Sequence, residues 1–86
     1  MKEIVVYSSD YCPFCHRAKA LLNSKGLQFK EINVDGNPIA RQEMISKAGR
    51  TSVPQIWVGE THIGGCDELY GLEQVGSLDS LINQEV

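Results

Sequence analysis

Two cysteines three positions apart, Cys12 and Cys15, form a CPFC motif near the start of the chain. Paired thiols of this kind bind a metal, close a structural disulfide or exchange electrons. A structural zinc site needs four ligands, and outside the motif the only further cysteine and histidines are Cys66, His16 and His62. A disulfide across two intervening residues closes a very small loop and stabilises little. Because CxxC beside a βαβ pattern is typical of a redox pair, we predict thiol–disulfide chemistry and keep the other two functions as alternatives.

The residues around this motif predict a strand followed by a helix. The apolar, β-branched run at 3–8 indicates a buried strand. Cys12 then occupies the position of a helix N-cap, Pro13 suits the first helical position, and Gly26 suits the helix end. The apolar side chains that follow recur with helical spacing and share one face: Phe14, Ala18, Leu21 and Leu22.

The predicted helix N-terminus gives the two thiols different tasks. Backbone N–H groups in the first turn of a helix lack partners and carry partial positive charge, which stabilises a thiolate beside them. The thiolate is the attacking form in disulfide exchange, so Cys12 is predicted to be the nucleophile. Cys15 lies one turn into the helix, is more enclosed, and is predicted to resolve the mixed disulfide.

The remaining elements predict an α/β fold with a mixed four-stranded sheet. A second strand is indicated at 28–34 and a helix follows, with Asn37 as its cap, Pro38 at its first position and Gly49 at its end. Strands at 55–59 and 61–63 form an antiparallel hairpin, and two helices complete the chain, one from about Asp67 to Gly76 and a short one capped by Ser77. The first two strands, joined through a helix, should be parallel. We therefore expect one domain over residues 1–86, with helices on both faces of the sheet.

Composition excludes several functional classes. The chain has 86 residues and a net charge of −3, and its Lys and Arg residues form no basic stripe, so nucleic-acid binding is not expected. It has no apolar run of about 18 residues that would span a membrane, and its early apolar run is too short for a signal peptide. Three cysteines, an odd number, do not fit a secreted disulfide scaffold. We expect a cytoplasmic protein.

Three blocks of sequence together resemble the glutaredoxins, in particular the short bacterial dithiol type. They are CPFC at 12–15, TSVPQIWVG at 51–59 and GGCDEL at 64–69. The resemblance implies the thioredoxin fold and a reductase of protein disulfides and glutathione mixed disulfides. It implies glutathione as co-substrate, no tightly bound cofactor or metal, and a monomer. The expected partners are glutathione, disulfide-containing or glutathionylated client proteins, and glutathione reductase acting indirectly through glutathione.

The resemblance also assigns a glutathione site. The Val53–Pro54 peptide is expected to be cis, with the Val53 backbone pairing with the cysteine of glutathione. The amides of Cys66 and Asp67 are expected to hold the γ-glutamyl carboxylate, and Arg41 the glycyl carboxylate, with Arg50 a weaker candidate. The full set that the resemblance implies is Phe14, Arg41, Ser52, Val53, Pro54, Gly65, Cys66 and Asp67.

Several of these residues also have simpler interpretations. Asp67 could be a plain N-cap, Arg41 a solvated helix residue, and the Cys66 thiol a bystander. The sequence also departs from the family pattern, with Ser9 in place of a common lysine and Phe14 in place of tyrosine.

Two other functions remain as alternatives. One is a thioredoxin-like carrier that receives electrons from a flavin reductase. The other is an iron–sulfur carrier in which Cys12 and glutathione hold a cluster between two monomers, although members of that kind usually have a CGFS-like motif, which Pro13 and Cys15 do not match.

Overall fold

Four strands and four helices follow one another in the predicted order. The computed structural model describes residues 2–83, so the ends of the predicted 1–86 domain lie outside it. The elements are β1 (Ile4–Ser8), α1 (Pro13–Ser24), β2 (Lys30–Asn33), α2 (Pro38–Ala48), β3 (Gln55–Val58), β4 (Thr61–Gly64), α3 (Cys66–Gln74) and α4 (Ser77–Asn83). None of these helices combines the length and the apolar composition that crossing a membrane requires.

Local signals set most of the boundaries. The Asn37 side chain accepts a hydrogen bond from the Ala40 N–H, and Gly49 ends α2 with a left-handed φ of 69°, both as predicted. The strand β2 is shorter than the predicted 28–34 and begins at Lys30. The reason lies in the turn that ends α1, because the Leu27 N–H still donates to the Leu22 carbonyl at 3.1 Å.

The sheet has the strand order β2-β1-β3-β4. The strands β1 and β2 are parallel, with Val6 opposite Glu31, and β1 pairs with β3 in antiparallel fashion, with Val6 opposite Ile56. The strands β3 and β4 form the antiparallel hairpin. The predicted mixed sheet, with one parallel pair and a hairpin, is confirmed.

Alternate residues of β1 face the two helical layers of the molecule. Ile4 and Val6 are buried in a cluster with residues of α1, α3 and α4. Tyr7 is buried in a second cluster with Met44 of α2 and Trp57 of β3. Because successive side chains of a strand point to opposite faces, one strand supplies both cores, and the prediction of helices on both faces is confirmed.

The sheet brings three chain segments to one of its ends. Tyr7 pairs with Gln55, so the loop that leaves β1 towards Cys12 lies beside the segment that enters β3. Ile56 in turn pairs with Gly64, which places the start of α3 next to the same segment. The first cysteine, the Val53–Pro54 peptide and the N-terminus of α3 therefore meet at one edge of the molecule.

Candidate active site

The sulfur of Cys12 caps the N-terminus of α1. Cys12 has an extended backbone, Pro13 opens the helix, and the Cys15 N–H donates to the Cys12 Sγ at 3.1 Å. The side chain is only partly buried, so the sulfur is open to a reactant. An N–H donor at a helix N-terminus favours a negative charge on its acceptor. The Cys12 sulfur therefore lies where the first turn of α1 offers it a backbone donor.

The second cysteine of the motif lies in a very different environment. Cys15 is fully buried. Its pKa is raised to about 12, mainly because burial disfavours the thiolate and further because of its hydrogen bond and charge interaction with Cys12. The backbone of Ser9 and the ammonium group of Lys19 act in the opposite direction. At neutral pH Cys15 is therefore a protonated thiol behind the accessible sulfur of Cys12.

The segment before β3 forms the wall facing the Cys12 sulfur. The Val53–Pro54 peptide is cis, as predicted. The carbonyl oxygen of Val53 lies 3.6 Å from the Cys12 Sγ, within reach of a protonated thiol. Pro54 is buried and Val53 half-buried, so backbone groups of this segment border the reactive sulfur.

The N-terminus of α3 forms the opposite wall. Gly65 is its N-cap residue, and the Gly65 N–H donates to the Glu68 Oε1 at 2.7 Å. A Cβ on Gly65 would lie 3.4 Å from the Pro54 carbonyl oxygen, at ordinary van der Waals distance, so the two walls lie side by side here. The first residue of the helix is Cys66, whose thiol is buried, and burial raises its pKa. Asp67 is exposed beside it.

These walls enclose a groove of about 250 Å³. All the predicted glutathione-binding residues except Arg41 line it, and the full lining is Phe14, Arg50, Ser52, Val53, Pro54, Gly65, Cys66, Asp67 and Glu68. The ring of Phe14 is 52% exposed, so one face of it is free to pack on a ligand.

The basic residue at this groove is Arg50 and not Arg41. Arg50 Nη1 lies 3.1 Å from the Glu68 Oε1, whereas Arg41 lies on α2, where its charge helps to lower the pKa of Asp35. Glu68 is the groove residue that the sequence interpretation missed. The Gly65 N–H and Arg50 hold the pKa of the Glu68 carboxyl below its usual range. A glutamate three residues after an N-cap is half of a capping box, and that spacing could have revealed it.

The loop before Cys12 contains Ser9, the position at which the sequence departs from the family pattern. A carboxylate holds this loop. Ser9 Oγ and the Asp10 N–H both donate to the Asp35 carboxylate, at 2.7 Å and 2.8 Å. These two donors are the main reason why the pKa of Asp35 is lowered. His16 is exposed, and its Nε2 lies 2.7 Å from the Asp10 carbonyl oxygen. Polar bonds to the end of β2 therefore fix this loop.

Within residues 2–83, no group of three or more His, Cys, Asp or Glu side chains is placed to hold a metal ion. All three cysteines, Cys12, Cys15 and Cys66, are free thiols. The site thus offers an accessible sulfur, a buried sulfur behind it, and a groove with backbone donors.

Known proteins are similar to this chain both in sequence and in fold. The sequence model of the glutaredoxin family matches residues 4–63. A glutaredoxin of Pseudomonas aeruginosa is 54% identical over 83 residues, which are 96% of this chain and 99% of that protein. Glutaredoxin 3 of Escherichia coli is 54% identical over 82 residues, 95% of this chain and 99% of that protein.

Solved structures agree. The solution structure of glutaredoxin from Brucella melitensis has a TM-score of 0.85 at 45% identity and covers 100% of this chain and 96% of that chain. The crystal structure of a buckwheat glutaredoxin–glutathione complex has a TM-score of 0.86 at 28% identity and covers 94% of this chain and 76% of that chain. The chain has the thioredoxin fold and belongs to the glutaredoxin family of thiol–disulfide oxidoreductases.

Proposed function

We propose that the chain is a glutathione-dependent reductase of protein disulfides and glutathione mixed disulfides. The observation that carries this proposal is the Cys12 sulfur, held by the Cys15 N–H at 3.1 Å and lying 3.6 Å from the Val53 carbonyl at the edge of the groove. A buckwheat relative forms a complex with glutathione, which supports the same ligand here. The odd number of cysteines does not fit a secreted disulfide scaffold. We therefore assign the reaction to the cytoplasm, and we take the active form to be the monomer.

The groove offers complementary groups to a glutathionyl unit. The backbone of Val53 can pair with the cysteine of glutathione as a short antiparallel ladder. The N-terminus of α3 presents the amides of Cys66 and Asp67 to a carboxylate, and Arg50 can bind a second carboxylate. The exposed ring of Phe14 covers the apolar part of the ligand. Arg41 takes no direct part in this arrangement.

In the first step the Cys12 thiolate attacks a sulfur of the oxidised client. The client S–S bond breaks, a Cys12–client or Cys12–glutathione disulfide forms, and the electron pair leaves on the released sulfur, which takes up a proton. The Cys15 N–H stabilises the attacking anion. In the second step of the dithiol route, Cys15 gives up its proton and attacks the Cys12 sulfur. The Cys12–client S–S bond breaks, the Cys12–Cys15 disulfide forms, and the electron pair leaves on the client sulfur, which takes up a proton.

Glutathione then restores the dithiol. One glutathione thiolate opens the Cys12–Cys15 disulfide and leaves a Cys12–glutathione mixed disulfide. A second glutathione attacks that bond and departs as glutathione disulfide. Two electrons have then passed from two glutathione molecules to the client. The burial of Cys15 directs the entering glutathione to the Cys12 sulfur.

A coupled assay tests the proposal. The chain is incubated with a disulfide substrate, NADPH and either glutathione with glutathione reductase or thioredoxin reductase alone. NADPH consumption that requires glutathione is the expected result. Turnover with thioredoxin reductase alone would favour the thioredoxin-like alternative, and a visible absorption band after anaerobic purification would favour an iron–sulfur carrier.

Two matched variants test the roles of the thiols. We expect Cys12→Ser to abolish all exchange, because the nucleophile is lost. We expect Cys15→Ser to lose the reduction of protein disulfides but to keep the reduction of small glutathione mixed disulfides, which needs Cys12 alone. Equal loss of both reactions in the two variants would contradict these roles.

A further inference from the structure

Gln55 is a fully buried polar residue at the start of β3, directly after the cis peptide. Its Nε2 lies 3.1 Å from the Ser52 carbonyl oxygen and 3.3 Å from the Ser52 Oγ. Its Oε1 lies 2.7 Å from the Nε2 of His62 on β4. A buried amide is costly unless its polar atoms are bonded. Here the amide nitrogen bonds to the turn before Pro54, and the amide oxygen bonds to His62.

The chemistry of Ser52, Gln55 and His62 determines which group donates in each of these hydrogen bonds. The Ser52 carbonyl can only accept, so the group facing it must be the NH₂ of Gln55, and the oxygen of Gln55 must face His62. His62 Nε2 therefore carries a proton and donates to the Gln55 Oε1. The His62 ring is also held in place by Trp57, with ring centroids 4.7 Å apart and planes tilted by 31°. Burial lowers the pKa of His62, which favours the neutral ring, and the bond to Gln55 assigns its proton to Nε2.

The three residues form a continuous chain of hydrogen bonds that ends at the groove. It runs from His62 on the edge strand, through Gln55, to the backbone and hydroxyl of Ser52. Ser52 precedes Val53, whose carbonyl lies 3.6 Å from the Cys12 sulfur. Neither His62 nor Gln55 lines the groove. The hydrogen-bonded route from them to a ligand therefore runs through Ser52 and Val53, while the charges of Arg50 and Glu68 in the groove lining also act on His62.

We propose that Gln55 and His62 are positioning residues that hold the Ser52–Pro54 wall where the Val53 backbone can pair with a bound disulfide substrate. The inference rests on the proposed function in one respect, that the Val53 backbone contacts a glutathionyl group. Its specific claim is that the chain of bonds controls substrate binding, while the reactivity of the Cys12 sulfur is set by α1. If the Gln55 amide had a purely structural role, its loss would lower folding stability but would not change substrate binding while leaving the reactivity of the Cys12 sulfur unchanged.

The first test replaces Gln55 with methionine, which has a similar length and no hydrogen-bonding amide. In Gln55→Met the Ser52 carbonyl and the His62 N–H lose their partner. We expect KM for a glutathionylated peptide to rise about tenfold, equivalent to the net loss of about one hydrogen bond. We expect kcat and the alkylation rate of Cys12 by iodoacetamide to stay within about twofold. Gln74→Met, on the exposed end of α3, makes the same chemical change away from the groove and should leave all three quantities unchanged.

The second test addresses the other end of the chain of bonds. His62→Phe keeps a ring against Trp57 but cannot donate to Gln55, so KM should rise in the same direction. In His62→Gln the side-chain nitrogen occupies about the place of the imidazole Nε2, so this variant should restore much of the wild-type KM. Because His62 is only partly buried, these variants remain informative if Gln55→Met does not fold.

A ¹H–¹⁵N spectrum recorded without glutathione tests separately whether Gln55 and His62 hold the Ser52–Pro54 segment in place. The signals to follow are the backbone amides of Ser52 and Val53. They should shift in Gln55→Met and His62→Phe and return towards wild type in His62→Gln. If wild type does not use glutathione, the proposed function fails, and these signals still judge the positioning role. Folded Gln55→Met and His62→Phe proteins with unshifted Ser52 and Val53 signals, or with KM within twofold of wild type, would overturn the inference.

Discussion

The ionisation of Cys15 should change when Cys12 no longer carries a thiol. Burial is the largest cause of the raised pKa of Cys15, and the hydrogen bond and charge of Cys12 add to it. When Cys12 is part of a mixed disulfide, its sulfur bears no charge, and the contributions from Cys12 are lost. The buried thiol should thus become easier to ionise at the step in which it has to attack. Cys12→Ser, or wild type with Cys12 alkylated by iodoacetamide, reproduces this loss of charge.

The size of the effect follows from the raised pKa. A thiol with a pKa of about 12 is ionised in roughly one molecule in 10⁵ at pH 7. Each unit by which the pKa falls multiplies that population by about ten. We therefore expect the pKa of Cys15 to lie below about 12 in both modified proteins. The direction also bears on stability, because a pKa raised from 9.0 favours the neutral thiol in the fold. That contribution is complete below pH 9 and is lost as the pH rises towards 12.

The measurement is the ¹³Cβ chemical shift of Cys15 as a function of pH. In wild type we expect no titration of Cys15 until the strongly alkaline range, and in the modified proteins an earlier onset. A second measurement is the rate at which Cys15 forms the disulfide in a Cys12–glutathione adduct, which should rise with pH. A Cys15 titration that is the same with and without the Cys12 thiol would refute the argument that Cys12 controls the resolving step.

Two further predictions concern groups outside the thiol pair. Burial and a hydrogen bond to Glu43 raise the pKa of Tyr7 to about 12. The contribution of the neutral phenol to the free energy of unfolding should be complete below pH 10 and should fall by about 2–3 kcal/mol as the pH rises to 12. Urea unfolding should show this extra alkaline loss in wild type but not in Tyr7→Phe, and equal losses in the two proteins would contradict the prediction. Glu68→Gln keeps an acceptor for the Gly65 N–H but removes the charge that engages Arg50 at 3.1 Å. Since an exposed ion pair contributes about 0.2–1 kcal/mol, KM for a glutathionylated peptide should fall by a factor of about 1.4 to 5. An increased KM would oppose an anion-binding role for Arg50. Glu60→Gln in the exposed β3–β4 turn is the control.

The sequence predicts most of the fold because the signals that begin and end its elements are local. The N-caps Cys12 and Asn37 and the terminal Gly49 each act within a few residues, and the structure has all three as predicted. The start of β2 was harder to predict because the turn ending α1 extends to Leu27. The two thiols could be distinguished because one caps the helix and the other points into the core.

The rest of the site depends on distant pairings that a single sequence does not reveal. The contact of Gln55 with His62 follows from the register of the β3–β4 hairpin. The pairing of Arg50 with Glu68 joins the start of the loop between α2 and β3 to the first turn of α3. Arg41 was a plausible ligand on charge alone, yet the direction of α2 keeps it out of the groove lining.

The strand β1 contributes side chains to both hydrophobic cores, and this limits the changes of length that the chain can accept. Its even and odd residues belong to different cores, so a single inserted or deleted residue within the strand would exchange the two sets of side chains between the layers. Tyr7 would then point towards α1, and aliphatic side chains would face α2. The loop that carries Cys12 would also be displaced from the Asp35 carboxylate that holds it. Changes of length should therefore be tolerated at the exposed Gly59–Glu60 turn but not in this strand.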